Sequence, residues 1–142
     1  MIVTGIPRHH LPLAWPELWP LLERAARRAK PAVREAEVRT RIEGRHAQLW
    51  AVYDGNQPIA AITTEITLPI ERRCRIWLVG GSRMDEWAAD LMAKLEVWAR
   101  SLGCVAIWGE QTRPGWARVV EMFGGAPIET ANGVPAWGRR LG

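Results

Sequence analysis

Between Cys74 and Gly125 the sequence passes twice from a short apolar run into helical periodicity, and this alternation restricts the chain to an α/β architecture. Residues 74–79 read as a strand that Gly80-Gly81 breaks. Met84, Trp87, Ala88, Leu91, Met92, Leu95, Trp98, Ala99 and Leu102 then share one face of a period-3.6 helix. Ser82 and Asp85 have the spacing of a capping box, which places the helix start there. Gly103 suits its far end, where a left-handed residue closes the last carbonyls. Residues 105–108 form a short strand, and residues 115–123 a second helix terminated by Gly124-Gly125.

The N-terminal half supplies the other elements. Residues 2–5 suit a first strand. Pro16 and Pro20 frame a helix start, since proline is tolerated in the first turn. Leu18, Leu21, Leu22, Ala25 and Ala29 continue at helical spacing up to Pro31. Residues 33–43 are ambiguous: Val38, Thr40 and Ile42 alternate like a strand, while the Arg and Glu content favours a helix. Residues 48–53 are a strand, Asp54-Gly55-Asn56 a hairpin turn, and residues 59–66 the returning strand. Asn132-Gly133 marks a second hairpin, between residues 128–130 and 134–137.

With 142 residues, 48% hydrophobic and 24% charged, the chain is expected to be one domain, residues 1–142, with its own core. No apolar run approaches the roughly 20 residues of a membrane span, and residues 1–12 lack the apolar stretch of a signal peptide. A cytoplasmic protein is expected. Cys74 and Cys104 are too few for a disulfide framework and suit small buried hydrophobes. His9, His10 and His46 stand apart from other ligand-type residues, so no metal is expected.

Of 19 basic residues, nine lie at or before Arg45 against five of the 15 acids; the remainder balances. Such an N-terminal third could face an acidic partner, or nucleic acid in an accessory role, although no nucleic-acid motif accompanies it and a solvated helix face accounts for it as well. Nine tryptophans against one Tyr and one Phe are spread along the chain, as core anchors would be. Trp15, Trp19, Trp116 and Trp137 are the candidates for an interface with a protein partner or a second copy.

The order β-α-α-β-β-β-α-β-α-β-β, with Glu96-Val97-Trp98-Ala99-Arg100-Ser101-Leu102-Gly103-Cys104 and Gly115-Trp116-Ala117-Arg118-Val119-Val120, resembles the GNAT superfamily of N-acetyltransferases. Within it the chain is most similar to divergent GNAT-like proteins encoded beside virion genes of tailed bacteriophages, a group in which Gln48-Leu49-Trp50 and Leu78-Val79-Gly80-Gly81 are also familiar. The resemblance implies a mixed, twisted sheet with flanking helices. It also implies acetyl-CoA as cofactor if the protein is active, its pyrophosphate held by backbone amides at the start of the central helix. An Arg/Gln-x-x-Gly-x-Gly/Ala loop performs that task in the family, and here it falls on Arg83, Glu86 and Ala88, so an acid replaces the first glycine and Asp85 adds another. Gly80, Gly81, Arg83 and Ala88 are therefore the cofactor-binding candidates.

The family's thiolate-protonating tyrosine aligns with Val120, and the one tyrosine, Tyr53, lies elsewhere. Glu65 and Glu71 are the candidate bases. These losses lead to the expectation of a catalytically degenerate protein that binds no cofactor and acts through protein contacts, as a phage virion or assembly component. The alternative is an active N-acetyltransferase that transfers acetyl from acetyl-CoA to an unknown amine.

Overall fold

The computed structural model describes residues 1–68, 70–110, 116–128 and 134–142. The chain runs β1 (Ile2–Ile6), a 3-10 turn (Arg8–His10), α1 (Leu11–Arg28), α2 (Glu35–Glu43), β2 (Gln48–Asp54), β3 (Gln57–Thr67), β4 (Arg73–Gly81) and α3 (Met84–Ser101). It continues through β5 (Ala106–Glu110), α4 (Trp116–Met122), β6 (Ala126–Ile128) and β7 (Ala136–Arg140). The strands make one seven-stranded sheet in the order β1-β2-β3-β4-β5-β7-β6. Every neighbouring pair is antiparallel except β4 and β5, which α3 connects as a parallel crossover. This α/β order is the one expected from the sequence. The Asn132-Gly133 hairpin lies outside the described residues.

Both faces of the sheet are covered. Leu11, Trp15, Leu18, Leu22 and Ala26 of α1, with Val38 and Ile42 of α2, pack on Leu49, Ala51, Ala61 and Leu78. Trp87, Leu91, Met92, Leu95 and Ala99 of α3, with Phe123, pack on Trp50, Val52, Ile62, Ile76, Ile107 and Trp137 on the other face. Alternate residues of β2 therefore enter different cores, which explains its nearly unbroken apolar run. Each large side chain buried in this way contributes about 1.5–3 kcal/mol.

Three local expectations need correction. Helix α1 begins at Leu11, so Pro16 and Pro20 lie inside it. Both are exposed, and the carbonyls they leave without an amide partner can turn to water. Gly80 and Gly81 do not break β4; they pair with Ala61 and Ala60 of β3. No side chain caps α3: its N-cap is Arg83, in the left-handed region at φ 60°, so the proposed Ser82–Asp85 capping box does not form.

Cys74 and Cys104 are free and buried. Burial, followed by the neighbouring Cys104, pushes the Cys74 thiol up to about 12, leaving roughly 10⁻⁴ of it as thiolate at pH 8. Folded protein at pH 8 is expected to leave Cys74 unlabelled by a disulfide reagent such as DTNB over an hour, with both thiols reacting after guanidinium unfolding. Rapid labelling of Cys74 without unfolding would refute its placement.

Candidate functional site

The parallel pairing of β4 with β5 lasts only three positions, Arg73↔Ala106, Cys74↔Ile107 and Arg75↔Trp108. Just beyond it, the β3 register shifts from Thr64 opposite Ile76 to Thr63 opposite Leu78, leaving Trp77 as an extra residue on β4. Such a bulge bends and twists its strand. It also exchanges faces: Cys74 and Ile76 enter the α3-side core, whereas Trp77 and Leu78 pack on the α1 side. Among the described residues, 76–81 run on beyond the last pair with β5.

A cavity of about 540 Å³ opens along this segment, between β4, the C-terminal half of α1, the segment after it, and Glu110. Its depth depends on how closely α1 approaches β4. A Cβ on Gly80 would stand 1.8 Å from the Leu21 carbonyl oxygen, and one on Gly81 would stand 2.3 Å from that of Ile59. Both candidate cofactor glycines line the cavity, and both are also positions where a side chain has no room.

Charge is concentrated where the strands part. Arg75 donates to Glu65 at 2.6 Å, approaches Glu110 at 3.3 Å and stacks over Trp108 at 5.5 Å. Glu65 also accepts a hydrogen bond from Arg41, which stacks over Trp77. Glu65 is 6% exposed and engaged by two guanidinium groups, an arrangement that orients Arg75 in the cavity wall. Glu71 lies at the other end of β4. Hydrogen bonds from Arg73 and then Arg140 hold its carboxyl below the usual carboxylate range. Glu110, which sequence reasoning missed, is a carboxylate in the cavity wall, on the β5 side, with Glu37 on the α2 side; its one sequence signal is its position at the end of the second apolar run.

At the β4–α3 junction the Arg83 guanidinium is already engaged. It donates to Asp54 at the end of β2 at 2.7 Å and to both oxygens of Glu86, at 2.6 and 3.2 Å. Those hydrogen bonds lower the Asp54 and Glu86 carboxyls below their usual range and raise Arg83 in turn. The Ser82 amide is bound to the Ile59 carbonyl and the Ser82 carbonyl to the Trp87 indole, so the loop is rigidly tied. Ala88 faces the α3-side core, 2% exposed.

Val120 is buried in α4, and Tyr53 packs partly buried on the α1-side core. Trp15 is buried and stacks on the half-buried Trp19 with centroids 5.6 Å apart, and Trp137 is fully buried. The Trp116 side chain lies outside the description. Among the described residues there is no cluster of three metal-ligand side chains, and no helix is long and apolar enough to cross a membrane.

No protein-family model and no curated protein matches the sequence. Among solved structures the chain is similar to aminoglycoside 6'-acetyltransferase type Ii, at 18% identity, TM-score 0.73, covering 99% of this chain and 97% of that one. An aminoglycoside 6'-N-acetyltransferase complexed with coenzyme A is similar at 16% identity and TM-score 0.72, with the same coverage. A Bacillus subtilis acetyltransferase in complex with CoA matches at 13% identity and TM-score 0.66, covering 98% and 97%. At these identities the likeness establishes the fold, and it lends the phage-encoded subgroup no support.

Proposed function

We propose that this chain, which has the GNAT acetyltransferase fold, is an acyl-CoA-dependent N-acyltransferase whose two substrates meet where β4 and β5 part. The observation that carries this reading is the Trp77 bulge, placed directly after the last β4–β5 pair. There β4 bulges on its β3 side, no described residue pairs with it on the β5 side, and the cavity opens along the same stretch. Structural neighbours that are coenzyme A complexes support a cleft of this kind accepting that molecule.

Acyl-CoA supplies an activated thioester. The cleft would align its pantetheine arm along residues 76–81, and the Trp77 amide, which no β3 residue opposes, is the candidate donor to the thioester carbonyl oxygen. The amine's lone pair attacks the carbonyl carbon, the C–N bond forms and the C–S bond breaks, with its electrons leaving on sulfur. Glu110 is the candidate acceptor for the amine proton, directly or through water. A thiol of pKa near 8.5 departs readily as thiolate, so Val120 in place of a tyrosine slows the reaction without abolishing it. General-acid assistance is worth roughly 10²–10⁴-fold, and a slow enzyme is expected.

Calorimetric titration with acetyl-CoA, followed by a thiol-release assay over a panel of primary amines, tests this reading. Saturable binding below about 1 mM and acceptor-dependent CoA release are expected. The second reading, a catalytically silent GNAT-fold protein, is favoured by the engagement of Arg83 with Asp54 and Glu86. Absence of acetyl-CoA binding at 1 mM and low salt would decide for it.

A further inference from the structure

We infer that the acceptor side of the cleft is built for an anionic amine, a primary amine with a carboxylate or phosphate a few bonds from its nitrogen, and against polycations. This deepens the acyltransferase reading and rests on it for the word acceptor. It carries its own test, because the cations in question exist whether or not the protein turns over.

Arg24 and Arg28 of α1, with Lys30 just beyond its end, line the cavity. All three are exposed, and among the described residues none has an ion-pair partner. Arg27, on the same helix but outside the cavity lining, is paired with Glu23. The acids that line the cavity are engaged: Glu110 with Arg75, and Glu37 with Arg34 at 3.4 Å. The uncompensated charge of this wall is therefore positive.

Arg24 and Arg28 are one helical turn apart, and like charges at that spacing destabilise a helix. The C-terminal dipole of α1 favours cations in its last turn, which accounts for Arg28 but not for Arg24. Between these cations and β4 lies an apolar floor of Leu21, Ala25, Trp77 and Leu78, a low-dielectric wall that strengthens attraction for an anion seated over it. A ligand bearing two or three positive charges would meet the same three cations, while the two acids described in the lining are already paired with arginines.

The probes are the tripeptides Asp-Glu-Gly and Lys-Lys-Gly, together with phosphoethanolamine and spermidine, each titrated calorimetrically into the folded protein at low and moderate salt. The acidic peptide and phosphoethanolamine should bind at least about tenfold more tightly than the two cationic probes, and more weakly as salt rises. Whichever of the two anions binds better identifies carboxylate or phosphate as the source of the charge. Arg24→Glu/Arg28→Glu, and separately Lys30→Glu, should weaken the anionic probes about tenfold with the melting temperature unchanged; Arg27→Glu should not. Acetyl-CoA affinity should stay within about twofold throughout.

Equal or tighter binding of the cationic probes, no binding of any probe, or indifference to the charge reversals would overturn the inference. A loss confined to acetyl-CoA affinity would overturn it too, because the cations would then belong to the cofactor. Failure of the acyltransferase reading looks different: anionic probes bind and respond to the reversals while acetyl-CoA does not bind.

Discussion

Gly80→Ala is expected to destabilise the protein by about 3 kcal/mol or more, lowering its melting temperature by on the order of 10 °C. In most strands the same change stabilises by a few tenths to 1 kcal/mol, because alanine loses less backbone entropy on folding. Here the sign reverses for a geometric reason: the new Cβ would stand 1.8 Å from the Leu21 carbonyl oxygen, and 2.8 Å from the carbon that bears it. Both are main-chain atoms of α1, so no rotamer change relieves the clash and the helix must lift from the sheet. Leu18 and Leu22, both fully buried, would lose contact with β3 and β4 as it does. The right comparison is Gly55→Ala in the β2–β3 turn, where φ is +60° and nothing lies within 4 Å; it should cost only about 1 kcal/mol. Thermal unfolding followed by circular dichroism reads both. A Gly80→Ala protein that melts with the wild type would show that α1 is not seated on β4, and the cleft as described would go with it.

The same glycine shows where the sequence stops informing. Strands β2 and β3 and helix α3 are legible because their pattern is local: apolar runs around Asp54-Gly55, and a stripe of period 3.6 closed by Gly103, which takes the expected left-handed φ of +80°. Gly80-Gly81 reads locally as a breaker, but the cause of both glycines is distant, in Leu21 and Ile59. The start of α1 was misplaced for a similar reason. Prolines at four-residue spacing break a helix only where the lost amide bonds cannot be replaced, and their exposure on the outer face is a tertiary fact.

The site divides along the same line. Arg83 was visible as a phosphate candidate from its position in the motif, but its partner Asp54 lies 29 residues away in sequence. Glu65 was visible as an acid, but not its two arginines, which come from α2 and β4. The Trp77 bulge was invisible, since an extra residue exists only relative to the strand opposite.

Neutralising the two partners of Arg83, by Asp54→Asn with Glu86→Gln, is expected to tighten acetyl-CoA binding by roughly tenfold. Each carboxylate acts twice against a diphosphate at the α3 N-terminus. It repels the phosphates directly, and it occupies guanidinium donors that would otherwise meet them. Removing the charge while keeping an amide of the same shape leaves the β2–β3 turn in place and frees Arg83. The gain should require that side chain, so Arg83→Ala should cost several times more affinity in the neutralised background than in the wild type. That coupling separates a true phosphate contact from a general change in net charge. The pH dependence has a definite sign. Hydrogen bonds from Arg83 hold both carboxyls below their usual range, so both stay ionised as pH falls from 8 to 5 and the advantage of the variant should be flat across that interval. It should shrink only when the pH passes below the ordinary carboxylate range and the wild-type acids begin to protonate. Titration calorimetry at pH 5, 6.5 and 8 tests the flat interval, and a further titration below the ordinary carboxylate range tests the decline. If the neutralised variant binds acetyl-CoA no better than the wild type, the phosphates do not sit at Arg83, and the α3 N-terminus is a structural junction whose ion pairs join the β2–β3 turn to the helix.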